Sequence, residues 1–391
     1  MKLSVLVAAA LGFVGFVTSF GAHIVAVNLP SYAKEVGVGL AMIGVLIAAY
    51  DFAEIVAKPV FGALSDRVGM KRTMLAGIAV FVTASLLYPV IDPRLLVGVR
   101  FLQGVGAAAL SAVSLALIGI YFVENRGRAY GIYNAIKGAG YVVSPVIGGA
   151  IVQQTNFGAI FYATAAVGVV AFLISLTLPN PHTQKPLEFD DDDDFSLRGL
   201  WEVMRQRELL TWYLVIVVNM FFVGILFGFL PVYISGLGFT PFQSGVMISV
   251  VALAYLLIQP VAGWVADNLI DAPATIKLGL VLSGLSVIAA PFTHGASLVV
   301  VSIIAGVGVG TVWTNSDLIV SNLAKEGRLG ATMGMAGSFK EFGDMVGPLL
   351  IGVLSQALGL RAGFVICGAL GLVALAVIFV APRRAIESRR A

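Results

Sequence analysis

Apolar residues in this chain come in long runs separated by short polar segments. Twelve such runs predict helices at 3–28, 38–60, 73–91, 95–122, 130–152, 158–178, 211–235, 242–264, 273–292, 297–321, 332–356 and 362–381. A helix needs about 20 apolar residues to cross a hydrocarbon core about 30 Å thick. The pattern therefore predicts an all-α polytopic membrane protein with twelve transmembrane helices.

Lys and Arg are unevenly distributed among the predicted loops. If the N-terminus is cytoplasmic, 17 of the 24 basic residues lie in cytoplasmic segments, 3 lie outside, and the rest lie within spans. Basic loops stay on the cytoplasmic side of a membrane. We therefore predict a multi-pass protein of a bacterial-type inner membrane, with both termini in the cytoplasm.

Composition narrows the class of protein. Charged residues make up 12% of the chain, against about a quarter in a soluble domain. The single cysteine, Cys367, excludes an intrachain disulfide and makes a cysteine metal site improbable. The sequence contains no HExxH or P-loop motif and no large polar domain. We therefore expect neither an enzyme nor a metal site, cofactor or nucleic-acid partner.

An internal repeat divides the chain. Lys58–Asp66 shares Pro, Val, Gly and Asp with Gln259–Asp267 at an offset of 201, and Lys137–Pro145 shares Lys, Gly, Val and Pro with Lys340–Pro348 at an offset of 203. Duplicated halves of this kind place the substrate path between them. We predict two pseudo-symmetric six-helix bundles joined by a cytoplasmic linker with an acidic run and an amphipathic helix, with bounds of 1–178, 179–210 and 211–391.

A glycine-rich, basic segment joins the second and third predicted spans. Residues 62–72, GALSDRVGMKR, resemble the G-x-L-[SA]-D-R-x-G-R-[KR] loop of the major facilitator superfamily, although Met70 stands where the family often has Arg. In that family the loop latches the two halves together, with the acid near the positive N-terminal end of a helix. The resemblance implies a conformational latch formed by Gly62, Asp66, Arg67, Gly69 and Arg72. A turn in which the glycines only reverse the chain is the alternative.

Two further motifs of that family lie within spans four and five. Residues 100–108, RFLQGVGAA, resemble R-x-x-Q-G-x-G-A-A, whose arginine tunes a nearby acid in proton-coupled relatives; snorkelling of Arg100 to the outer surface is the alternative. Residues 140–149, GYVVSPVIGG, resemble the antiporter motif G-x-x-x-G-P-x-x-G-G of drug-efflux branches, with Ser144 replacing a glycine. A kinked, closely packed helix explains the same positions, which are Gly140, Pro145, Gly148 and Gly149.

Charged residues within the spans are the candidate site residues, because each costs about 2.5–3.5 kcal/mol at the centre of a membrane helix. Asp51, Glu54 and Lys58 share one helical face, and Lys340 and Asp344 repeat the i,i+4 spacing in reverse order. We expect Asp51 or Glu54 to carry a proton, and Arg100 to take part in coupling. A structural ion-pair network is the alternative for any one of them. Expected at the substrate cavity are Lys58, Lys137, Asp317, Lys340, Glu341 and Asp344.

The resemblance implies a secondary active transporter that works by alternating access, similar to the twelve-helix drug:proton antiporter branch. Its expected activity is proton-coupled efflux of small amphipathic solutes or drugs. The alternative is a proton symporter or facilitator for a polar metabolite, an organic anion or a lipid-like solute, which the lysines and Arg100 would bind. The expected partners are a small-molecule substrate, protons and membrane lipids, and the protein is expected to be a monomer driven by the proton gradient.

Overall fold

The computed structural model describes residues 2–37, 39–122, 126–179, 207–324 and 329–387, and its regular structure in these ranges is helical. The acidic run Asp190–Asp194 and most of the predicted linker lie outside them. The α-helices are α1 (Lys2–Val36), α2 (Leu40–Val68), α3 (Met70–Leu87), α4 (Leu96–Tyr121), α5 (Arg126–Gln154), α6 (Ala159–Thr177), α7 (Arg207–Gly228), α8 (Leu230–Gly236), α9 (Pro241–Asn268), α10 (Ala272–Ala289), α11 (Ala296–Leu323), α12 (Leu329–Leu358) and α13 (Leu360–Glu387).

The prediction of twelve membrane-spanning helical segments is confirmed. In the described ranges, eleven segments are long and apolar enough to cross a membrane, and one of them, Glu208–Gly236, comprises α7 and α8. The twelfth segment is α12, which has 30 residues and carries Lys340, Glu341 and Asp344. These three charges lower its hydropathy, although its length suits a transmembrane helix.

Several helices extend beyond their apolar runs and end at glycine. α1 continues to Val36 and is followed by Gly37, which has a φ of 68°. α2 continues to Val68, and Gly69, with a φ of 105°, alone separates it from α3. Because glycine lacks a Cβ atom, it adopts this backbone conformation without strain. The alternative interpretation, in which Gly62 and Gly69 only reverse the chain, therefore fits Gly69 but is wrong for Gly62, which lies within α2.

Contacts divide the chain into two compact units. The first unit comprises Met1–Gln184 and Phe227–Ser249, and the second comprises Lys185–Leu226 and Val250–Ala391. In the first unit, α1 packs on α5, α2 on α4, and α3 on both α4 and α6. In the second, α10 packs on α11 and α13, and α12 packs on α13.

Glycines allow close helix approach at matching positions in the two units. A Cβ atom at Gly140 of α5 would collide with Ser19 and Phe20 of α1. At Gly343 of α12, which lies 203 residues later, a Cβ atom would come within 2.5 Å of the Val217 carbonyl oxygen of α7. Small residues at such positions let helix backbones come into contact. The repeated sequence thus produces the same type of helix contact in each unit.

Candidate transport and coupling sites

The acidic face of α2 lies in the first unit. Asp51 and Glu54 are buried, each with 6% of its surface exposed, although both lie in a span of the hydrocarbon region. The half-buried Lys58 donates a hydrogen bond from Nζ to Glu54 Oε2 at 3.2 Å. This is the predicted i,i+4 pair. The face therefore combines two buried carboxyl groups with one ammonium group, which is bonded to Glu54.

Arg100 is anchored inside the same unit. It is 2% exposed, its Nη1 donates to Gln103 Oε1 at 2.8 Å, and its Nη2 donates to the Ala22 carbonyl oxygen at 3.2 Å. The guanidinium also stacks 4.3 Å from the ring centroid of Tyr50, the neighbour of Asp51. Snorkelling is therefore wrong for Arg100, because its polar head is bonded between α1, α2 and α4.

Gln103 is a site residue that we did not select from the sequence. Its Oε1 accepts from Arg100, and its Nε2 donates to Ser85 Oγ at 3.0 Å. The Tyr88 hydroxyl also donates to Gln103 Oε1, at 3.4 Å. The sequence signal for this residue was the Gln of the R-x-x-Q motif in span four. In the structure its side chain orients Arg100.

Close helix packing explains most of the span-four and span-five motifs. A Cβ atom at Gly106 would lie 2.6 Å from the backbone nitrogen of Phe81, and one at Gly148 or Gly149 would collide with Asn28 or with the backbone of Pro241. These glycines bring α4 against α3, and α5 against α1 and the start of α9. Pro145 lies inside α5. Close helix packing therefore accounts for these glycines, whether or not the motif also indicates an exporter.

Two polar groups of α5 stand out beside these glycines. The Lys137 side chain is half-buried, and the main-chain oxygen of this residue accepts a hydrogen bond from Ser19 Oγ at 2.7 Å. Ser144, which replaces the glycine of the family motif, is fully buried. Within the described part of the chain its hydroxyl has no hydrogen-bond partner. α5 thus places a cation and an unsatisfied hydroxyl inside the first unit.

The proposed latch segment is described only in part. Arg67 and Arg72 are exposed, and the side chain of Asp66 lies outside the described part of the structure. Lys71, which we did not select from the sequence, donates from Nζ to the carbonyl oxygens of Leu176 and Leu178 at 2.8 and 2.6 Å. These carbonyls end α6, where a cation complements the helix dipole.

In the second unit, an ion pair joins α11 to α12. Lys340 Nζ donates to Asp317 Oδ2 at 2.6 Å, and it lies 4.3 Å from the ring centroid of Trp313. Trp313 and Asp317 are four residues apart and therefore share one face of α11. Sequence spacing alone had suggested Asp344 as a partner for Lys340. Asp344 and Glu341 are half-buried on the same helix.

Helical spans that carry charged groups, buried in the first unit and half-buried in the second, are characteristic of a polytopic membrane transport protein. Two overlapping parts of the chain, residues 11–269 and 213–391, match the model of the Major Facilitator Superfamily. The chain belongs to this family of transporters, whose members are not enzymes and generally need no cofactor.

Curated relatives share low identity with the chain. An uncharacterised MFS-type transporter of Methanocaldococcus jannaschii is 25% identical over 88% of this chain and 90% of its own length. The multidrug transporter protein MdtP of Bacillus subtilis is 29% identical over 46% of this chain and 34% of its own. The puromycin resistance protein of Streptomyces alboniger is 35% identical over 40% and 32%. The chain thus spans about a third of the length of these two resistance-related relatives.

Solved structures confirm the fold. A bacterial homologue of the lysosomal transporter Spinster aligns with a TM-score of 0.80 and 14% identity, covering 98% of this chain and 97% of the other. The D-xylose–proton symporter aligns with a TM-score of 0.78 and 14% identity, covering 97% of each chain. The nucleoside transporter NupG aligns with a TM-score of 0.75 and 12% identity over 96% of this chain and 98% of the other. At this identity the likeness extends to the fold alone.

Proposed function

We propose that the protein is a proton-coupled efflux antiporter for small amphipathic solutes, and that Asp51 or Glu54 carries the proton. The observation that carries the proposal is the burial of both carboxyl groups on one face of a membrane-spanning helix, with Lys58 bonded to Glu54. An ionised carboxylate without compensation is costly in this environment. A proton or an ammonium group removes that cost, so the two compete for the same carboxyl group.

Coupling follows from that competition. When a carboxyl group faces the side with the higher proton concentration, it takes up a proton and no longer needs a cationic partner. When the carrier reorients, the proton leaves and the site again favours a cation. Arg100 acts nearby, since it stacks on Tyr50 next to Asp51. We propose that the substrate binds only when the carboxyl group is ionised, so that substrate and proton occupy the carrier in turn, which is the requirement for antiport.

The names of several relatives support the export direction. A multidrug transporter, a methylenomycin A resistance protein and a puromycin resistance protein match this chain at 29–35% identity over less than half of its length. The motif at 140–149 also resembles the antiporter pattern. Export of amphipathic solutes is the activity that these observations support jointly.

A proton symporter or facilitator for a polar metabolite or organic anion is the second candidate. Ser144 replaces a glycine of the antiporter motif, and Lys137 places a half-buried cation on the same helix. Structural neighbours include a nucleoside transporter and a D-xylose–proton symporter, and a riboflavin transporter of Clostridioides difficile is 28% identical over 47% of this chain. A symporter would move solute and proton in the same direction, and a facilitator would move the solute without a proton.

We propose the remaining architecture from the repeat and the distribution of basic residues. The six-helix bundles are 1–178 and 211–391, the 179–210 linker is cytoplasmic, and both termini face the cytoplasm of a bacterial-type inner membrane. The segment at 62–72 acts as the latch between the bundles, and the protein works as a monomer. Lys58, Lys137, Asp317, Lys340, Glu341 and Asp344 are assigned to the substrate cavity.

Everted membrane vesicles test the coupling. Respiration acidifies their interior, and acridine orange reports the proton gradient by quenching. We expect added ethidium to reverse the quenching in vesicles with the wild-type protein. Asp51→Asn or Glu54→Gln should abolish that response, whereas Asp92→Asn, at an exposed acid outside the spans, should not. If the Asp51 and Glu54 variants both retain full proton-driven transport, the proton-carrier assignment is wrong.

A further inference from the structure

Trp313 and Asp317 form two sides of a small site on α11, which we call the α11 cage. The Lys340 ammonium occupies it, 4.3 Å from the Trp313 ring centroid and 2.6 Å from Asp317 Oδ2. An aromatic face together with a carboxylate is the environment in which proteins bind organic ammonium groups. The residues of the cage thus bind an ammonium group already, and that group belongs to the protein itself.

Lys340 does not use all of the binding capacity of the cage. Asp317 Oδ1 is buried and has no hydrogen-bond partner among the described residues. The side chains of Lys340 and Asp317 are 17% and 26% exposed, so the pair is open on one side. A carboxylate in a membrane segment is costly unless its charge is compensated, and Lys340 bonds to only one of its two oxygens. A larger cation that lies against both oxygens would therefore neutralise the carboxylate more completely than Lys340 does.

The charge around the cage favours a cation over an anion. α11 and α12 together carry three acids, Asp317, Glu341 and Asp344, and a single basic residue, Lys340. In a low-dielectric region, an excess of negative charge attracts positive solutes and repels negative ones. Lys340 is also engaged by Asp317 and is not available as an anion receptor in this arrangement. The pair of helices α11 and α12 is therefore electrostatically suited to a positively charged substrate.

We propose that the α11 cage binds organic monocations, and that Lys340 is a tethered occupant which the substrate displaces. This inference rests on the proposed function, because it names the substrate class of the carrier. With a tethered competitor, the apparent affinity equals the intrinsic affinity multiplied by the fraction of time for which the site is free. The competitor also keeps Asp317 neutralised while the carrier is empty, so no isolated carboxylate remains in the membrane.

Equilibrium binding to the purified full-length protein tests the proposal with two probes of similar shape and opposite charge, tetraphenylphosphonium and tetraphenylborate. Lys340→Gln should tighten tetraphenylphosphonium binding by about tenfold, since the occupant is gone. The matched control is Lys277→Gln in the same unit. The Lys277 ammonium also lies over an aromatic ring, 4.7 Å from the Phe379 centroid, but outside the cage. This control should leave the binding of both probes unchanged.

Two further variants keep the test decisive if Lys340→Gln fails to fold. In the otherwise wild-type protein, Trp313→Leu and Asp317→Asn should each weaken tetraphenylphosphonium binding. Trp313→Leu, which changes no charge, should leave tetraphenylborate binding unaltered. The proposal is overturned if these variants bind the cation like the wild type. It is also overturned if Lys340→Gln loses tetraphenylborate binding, because Lys340 is then an anion receptor.

The binding assay separates this proposal from the proposed function. Binding in detergent needs no proton gradient. If tetraphenylphosphonium binds as expected but no protons move in vesicles, antiport is wrong and the cage stands. If protons exchange with ethidium but the cage variants bind tetraphenylphosphonium normally, antiport stands and the cage is wrong.

Discussion

The anchoring of Arg100 by Gln103 leads to a quantitative prediction for Gln103→Leu. Gln103 is fully buried, and its amide accepts from Arg100 at 2.8 Å and donates to Ser85 at 3.0 Å. Leucine has a similar volume but no polar atom, so the Arg100 Nη1 donor and the Ser85 hydroxyl both lose this partner. A hydrogen bond to a charged group contributes about 1.5–3 kcal/mol, and a buried donor left without an acceptor costs about 1–3 kcal/mol.

These contributions overlap, so we expect Gln103→Leu to lower the free energy of unfolding by about 3 kcal/mol. For a unit of this size, each kcal/mol shifts the unfolding midpoint by about 2–4 °C, which gives a decrease of about 6–12 °C. The assay is thermal unfolding in detergent, followed by circular dichroism at a helix-sensitive wavelength. Gln103→Glu keeps an acceptor for Arg100 and should lower the midpoint less.

The matched control is Gln154→Leu, which makes the same substitution at an exposed position in the same unit. It should leave the midpoint within about 1–2 °C of the wild type, because exposed substitutions change stability by only about 0.5 kcal/mol. If Gln103→Leu unfolds at the same temperature as Gln154→Leu, Gln103 does not anchor Arg100 and the reasoning fails.

Three other predictions follow from contacts of single residues. Gly106→Val should prevent folding, because the added Cβ atom would lie 2.6 Å from the Phe81 backbone nitrogen, and the folded peak should disappear from size-exclusion chromatography. Gly131→Val, at a position that faces open space, should keep that peak. Lys71→Met should increase hydrogen exchange at the C-terminal end of α6, since the two carbonyl oxygens there lose their donor; unchanged exchange would contradict this role. Cys367 is buried and should react with a maleimide only after unfolding. Rapid labelling of the native protein would contradict the burial of this thiol.

Sequence reasoning predicted the helices well, because long apolar runs are local signals. It identified α12 despite its charges, because the apolar run at 332–356 is long enough to span a membrane. It also predicted the Glu54–Lys58 pair, which depends only on spacing within one helix. It placed the end of α2 too early, since an apolar run ends where the hydrocarbon does and the helix itself continues to Gly69.

Contacts between helices were harder to predict. The Lys340–Asp317 pair depends on how α11 and α12 are rotated about their axes, and the sequence gives no measure of that rotation. Lys340 was therefore matched with Asp344 on its own helix. Similarly, Arg100 lies close to the predicted outer end of its span, so the sequence left open that its side chain extends to the outer membrane surface. Its burial depends on the Ala22 carbonyl oxygen of α1 and the Tyr50 ring of α2, and a backbone carbonyl carries no sequence signal.

The central claim is that solute export is exchanged for proton entry. The most direct measurement uses the purified protein in liposomes that contain a pH-sensitive dye, with the membrane potential clamped by potassium and valinomycin. When tetraphenylphosphonium is added outside, antiport predicts that the interior becomes more alkaline as the cation enters and protons leave, and Asp51→Asn or Glu54→Gln should abolish this change. Acidification of the interior would indicate symport. Tetraphenylphosphonium also enters protein-free liposomes unaided, so an unchanged interior pH during uptake that exceeds this background would contradict proton coupling altogether.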